Sequence, residues 1–220
     1  MTFLQASVPT VFLYILCWPV LRDSIHRLWF LSLPHETLNY VDQRYADHPI
    51  SSAVHLLPGL VFFLIGPLQF HARLRRYRRL HRVLGYVFVV AGLFSSVGVM
   101  HMVLVFPALG GFLTQVVTYV LCLGMSGMMI LAVLKIRQRD MQTHQRLMRL
   151  AFAIGMSVST ARYFIHAADT VFGVPFEQSF SVASALGVIV NLAVATTYEV
   201  FRSKGKIGWN ILGRGRKGKS

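Results

Sequence analysis

The chain has 220 residues, 55% of them apolar and only 14% charged, with a mean hydropathy of +0.55, a balance foreign to ordinary soluble domains and to disordered chains. Its two cysteines, Cys17 and Cys122, lie inside apolar runs, which excludes a disulfide framework and a cysteine-rich zinc site. The formal charge of +14 falls between apolar runs rather than on one surface, so no nucleic-acid partner is expected.

A spanning helix takes about 20 predominantly apolar residues. The first such stretch runs from Thr2 to Leu21 and contains Pro9 and Pro19. It reads as a first transmembrane helix over 1–21 rather than a secretory signal, because no Lys or Arg precedes Arg22 and no small-residue cleavage site follows. Residues 22–49 mix charges, aromatics and Pro34, and read as an external amphipathic helix and loop. Clear apolar spans follow near 50–70, 82–106, 112–134, 147–172 and 178–201, making a five-helix core over 50–201. Pro107, Gly110 and Gly111 mark one tight turn between spans, and Gly173 with Pro175 another. Residues 202–220 form a basic tail.

Most of the 22 basic residues sit in two connections and the tail: Arg73 to Arg82, Lys135 to Arg149, and Arg202 onward. The alternate connections carry most of the acids, Asp23, Glu36, Asp42, Asp47 and Glu177. Because Lys and Arg accumulate in cytoplasmic loops, both termini are expected in the cytoplasm. The expected fold is therefore an all-α polytopic transmembrane helix bundle of about six spans in the cell membrane. Its partners are the bilayer itself and anionic lipid headgroups at the inner face, reached by the tail, with a membrane redox or subunit partner as a further expectation.

Nine histidines are present, and six lie at or near the ends of the expected spans: His55, His101 and His166 near the outer face, and His71, His81 and His144 near the inner one. A neutral imidazole can ligate haem iron or relay a proton, although histidine also serves as an amphipathic filler at interfaces. His55 and Gly66, His81 and Gly92, and His144 and Gly155 share one spacing, which brings each pair to within about 20° on its helix. Such a face leaves room for a flat prosthetic group or for close helix packing, the commoner use. Arg162, about 27 Å along the helix from His144, is a charge inside a span. At about 2.5 to 3.5 kcal/mol on insertion scales it should face a partner or a cavity. Asp169 is one candidate partner. Asn191 and Glu199 read as interhelical hydrogen-bonding and ion-pairing groups, Glu199 with Arg146 or Arg149. No soluble hydrolase or kinase signature occurs.

The run HLLPGLVFFLIGPLQFHARLRRYRRLHRVLGYVFVVAG from His55 to Gly92 resembles the bacterial membrane-protein family catalogued as domain of unknown function 2306. Gly110 with Gly111, HQRLMR from His144 to Arg149, Ala161 with Arg162, and NLAVATTYE from Asn191 to Glu199 carry the same resemblance in the same order. It implies a membrane topology, in a bacterial inner membrane, and no established activity. A second, weaker likeness is to transmembrane haem-b cytochromes, through His55, the Arg-rich connection, and Leu80, His81 and Gly85. That likeness implies haem b held by His81 with His144 at the inner side and by His55 with His166 at the outer side, with Arg162 on a propionate. His144 and His166 are about 33 Å apart along a helix, against a hydrocarbon core of about 30 Å, which favours one haem or none. Three functions stand side by side: a haem-b redox protein, a small-molecule or proton transporter using Arg162, and a noncatalytic membrane subunit or scaffold.

Overall fold

The computed structural model describes residues 3–106, 109 and 111–216, with side chains from Thr10 to Phe201 within those limits. The described residues form seven α-helices and short turns: α1 (Phe3–Phe30), α2 (Tyr40–Ala46), α3 (Pro49–Phe70), α4 (Arg78–Val105), α5 (Gly111–Arg137), α6 (Met141–Phe172) and α7 (Phe176–Arg216). The expected turn at Pro107 and Gly110, the first two residues, the last four, and the tail side chains lie outside the described residues.

Local chemistry sets several boundaries. Asn39 caps α2 by accepting the Asp42 N–H at 2.9 Å, and Pro49 opens α3, where its missing N–H costs nothing. Asp140 caps α6 by accepting the Thr143 N–H at 3.0 Å. The other end of α6 stops at Gly173, whose φ of 63° is left-handed and suits a residue without Cβ.

Helices α3, α4, α5 and the Phe176–Phe201 part of α7 are long and apolar enough to cross a membrane. The apolar stretches expected at 1–21 and 147–172 do not reach that standard among the described residues, and α6 shows why. It packs against α1, α5 and α7 and buries Ala151, Phe152, Ile154, Met156 and Ala161 together with Ser157 and Ser159. A helix enclosed by other helices need not be apolar on every side. Ser159 instead donates to the Leu16 carbonyl of α1 at 2.5 Å, and Asn191 of α7 donates to Thr160 of α6 at 2.7 Å. By contrast, Val120 and Leu123 on α5 and Val194 on α7 are each more than 60% exposed, as lipid-facing side chains are.

Two boundaries differ from the sequence expectation. α1 continues through Phe30 instead of ending at Leu21, and α7 continues to Arg216, so helix occupies part of both segments read as extramembrane. In α1 the reason is visible. Val20, Ser24 and Arg27 recur at helical spacing and all face the interior, so the polar residues after Leu21 continue a helix face.

The core joins Phe62, Phe63, Phe88, Met129 and Phe152. Phe62 stacks on Phe88 with centroids 4.4 Å apart, and Phe152 approaches Phe62 at 5.7 Å. This aromatic centre ties α3, α4 and α6 together and forms the floor beneath the cavity described next.

Candidate functional site

A cavity of about 320 Å³ opens between the helices, at the end of the bundle that carries α2. Every helix contributes to its wall. Phe62, Phe63, Val99, Leu121, Met125 and Ile154 make its depth apolar, while Arg27, Arg44, Tyr45, His55 and Arg162 gather toward α2. The site is thus an apolar chamber with a cationic head.

The charges are held in place by specific partners. Arg162 donates from Nε to Asp23 Oδ2 at 2.9 Å and from Nη1 to the Val158 carbonyl at 2.9 Å. Asp23 also receives the exposed Arg22, whose Nη2 lies 2.9 Å from Oδ1. Arg27 donates to the Tyr45 hydroxyl at 2.8 Å, lies 3.5 Å from Asp42 and covers the Tyr45 ring at 4.4 Å. Arg44 lies 5.0 Å from the Phe106 ring, against which His48 stacks at 5.5 Å. Helix α2 is therefore fastened over this end of the bundle by ion-pair and cation–π contacts.

His55 lines the same cavity. Its Nδ1 lies 2.9 Å from the Ser95 carbonyl, an acceptor only, so Nδ1 carries the hydrogen and the neutral ring has its lone pair on Nε2. Ser95 Oγ donates to the His55 carbonyl at 3.1 Å. Gly98 makes this contact between α3 and α4 possible: a Cβ there would stand 2.7 Å from the His55 nitrogen.

Of the five candidate residues read from the sequence, the cavity brings together His55 and Arg162. His81 and His144 sit in the first turns of α4 and α6, at the other end of the bundle and within electrostatic reach of each other. His144 Nδ1 donates to the Ala132 carbonyl at 2.9 Å, whereas His81 Nδ1 is buried without a partner among the described residues. His166 is exposed, one turn beyond Arg162 and outside the cavity wall. On the His and Gly faces a neighbouring side chain stands against each glycine, although His55, Gly92 and Gly155 also border the cavity. A Cβ on Gly66 would meet Phe152 at 2.3 Å, one on Gly92 Met129 at 2.7 Å, and one on Gly155 Phe62 at 2.7 Å. Those glycines serve close packing. Among the described residues no cluster of three or more His, Cys, Asp or Glu could hold a metal ion.

The ion pair of Arg162 is with Asp23, not with Asp169. Glu199 pairs with Arg149, as one of its two expected partnerships. Sequence reasoning missed Asp23, Arg27, Arg44 and Tyr45. The spacing of Val20, Ser24 and Arg27, and of Val41, Arg44 and Tyr45, was the signal available, since each set marks one helix face.

No curated protein and no solved structure matches the chain. The model of the family described as "Predicted membrane protein (DUF2306)" matches residues 52–198. The matched segment holds α4, α5 and α6 and most of α3 and α7, including His55 and Arg162, while Asp23, Arg27, Arg44 and Tyr45 come from helices before it. With more than half of its length on that model, the chain belongs to this family of membrane proteins.

Proposed function

We propose that the protein binds a small molecule inside the membrane, in the cavity that ends at Arg162, and moves or presents it there. The observation carrying this reading is the cavity itself, about 320 Å³ with an apolar depth and a head containing Arg27, Arg44, His55 and Arg162. Ligand pockets run from about 300 to 1,000 Å³ and combine mostly apolar walls with a few convergent polar groups. A charge costing about 2.5 to 3.5 kcal/mol to insert is seldom kept at a cavity wall without use. In this reading α1 and α3 to α7 cross the cell membrane with both termini in the cytoplasm, supported by the arginines of the α3–α4 and α5–α6 connections.

Native mass spectrometry of protein released from gentle detergent tests the binding. A bound small molecule should accompany the wild type and be lost from Val99→Phe, which fills the chamber with carbon. An adduct that persists unchanged in Val99→Phe would place binding elsewhere.

One geometric feature favours a second reading, haem b at His81 and His144. The His144 Nδ1 hydrogen bond to Ala132 leaves Nε2 as the lone-pair nitrogen, the orientation by which a carbonyl fixes a ligating imidazole. A reduced-minus-oxidised spectrum of protein made with ample haem should then show a haem-b signal that His144→Ala removes. A colourless folded protein would end that reading.

A further inference from the structure

Given that the cavity binds a small molecule, as proposed above, we infer that this molecule is a single-chain amphiphile with an anionic head, a carboxylate or phosphate. The head sits among Arg27, Arg44 and Arg162, and the chain runs down past Val99 to Phe62 and Met125.

Three features point the same way. First, the charge at the head of the cavity is unbalanced. Arg27 and Arg162 line it and, together with Arg22, share two carboxylates, Asp23 and Asp42. An anion would neutralise the excess, and in an apolar enclosure that gain is larger than in water. Second, the donors are only partly used. The described bonds of Arg162 occupy its Nε and Nη1, and a guanidinium carries further N–H groups in a fork that fits carboxylate or phosphate oxygens. Third, the chamber below the arginines is lined mainly by Phe62, Val99, Leu121, Met125 and Ile154, which offer an acyl chain contact, while the hydroxyls of Ser95, Ser96, Thr118 and Ser157 in the same wall donate to backbone carbonyls. At about 320 Å³ it stands at the small end of ligand pockets, which suits one chain rather than two.

Asp23 then competes with the ligand for Arg162. The carboxylate keeps the guanidinium paired when the cavity is empty and yields it, wholly or in part, to the anionic head. Replacing Asp23 by Asn should therefore tighten binding, the opposite of what a merely structural role would give.

The test is saturation binding of radiolabelled dodecanoate to the full-length protein in nanodiscs of zwitterionic phospholipid, corrected with empty discs. Saturable binding is expected, weakened at least about tenfold by Arg162→Gln and by Arg44→Gln, the loss of one charge-assisted hydrogen bond each, and strengthened by Asp23→Asn. Arg44 lies on α2, so its replacement leaves the bundle folded if Arg162→Gln does not. Dodecyl phosphate should compete, with its strength relative to dodecanoate distinguishing a phosphate from a carboxylate source, and dodecanol should not. Equal competition by dodecanol, or unchanged binding in both arginine variants, would overturn the anionic head while leaving the cavity reading intact. Absence of saturable binding by dodecanoate, dodecyl phosphate and dodecanol alike would overturn both.

Discussion

Arg162 and Asp23 meet across 139 positions of sequence, and each makes the other tolerable. Their side chains are 20% and 26% exposed, so the pair gains more than a surface ion pair and less than a fully enclosed one. Asp23→Ala strands the guanidinium and should cost about 1 to 3 kcal/mol, below the value for breaking a fully buried pair; a double-mutant cycle with Arg162→Ala, read by thermal melting in detergent, should recover much of it. Gly98 makes a different demand. Because the atoms that an added Cβ would strike belong to the His55 backbone, Gly98→Ala should destabilise by about 1 to 3 kcal/mol, the usual cost of overpacking. Gly124 meets nothing within 4 Å, so Gly124→Ala should be neutral or stabilising by up to about 1 kcal/mol through helix propensity.

At the scale of elements, α6 organises the bundle. It is a helix whose polar groups are spent on neighbours: Ser159 on α1, Thr160 on α7, Arg149 on Glu199 and Arg162 on α1. Its start depends on Asp140, a half-buried carboxyl held below the usual carboxylate range by its hydrogen bonds to Thr143 and by Lys135 nearby. A carboxyl depressed in the folded state stabilises that state above its unfolded pKa, and the contribution is lost as pH falls through the folded one. The wild-type melting temperature should therefore fall further than that of Asp140→Asn as acid protonates the cap, with the two converging at the lowest pH. A constant difference across that acid range would exclude the cap as the cause.

The same helix explains what could be read from the sequence. Arg162 stood out because a charge inside an apolar run demands a partner, and the apolar stretch of residues 147–172 that holds it lies within α6. Its partner was not legible, since nothing local joins residue 162 to residue 23. The extent of α1 was hidden for a related reason: Arg22, Asp23, His26 and Arg27 resemble a loop until Arg27 and Ser24 are seen facing a polar interior. Helix packing also accounts for the glycines, whose spacing from His55, His81 and His144 already favoured close packing over room for a flat cofactor: Phe152, Met129 and Phe62 stand against Gly66, Gly92 and Gly155.

For the whole molecule, the distribution of apolar side chains is that of a membrane bundle. Val120 and Leu123 of α5 and Val182 and Val194 of α7 point outward, while Ser157, Ser159, Arg27 and Arg162 point inward. The alternation of basic and acidic connections predicts the direction of insertion. Fusing a cytoplasm-dependent reporter after Gln138, in the α5–α6 connection, should give signal, and fusing it after Val174, between α6 and α7, should give none; the reverse pattern would invert the topology.

The interior that results is an apolar chamber closed at one end by aromatic rings and at the other by arginines beneath α2. Density for this chamber in a map of the protein held in nanodiscs tests it most directly. The expected map shows Arg162 turned inward, within bonding distance of Asp23 or of an elongated ligand, with continuous density reaching toward Phe62. A map in which Arg162 points to the lipid and the helices close over the chamber would contradict it.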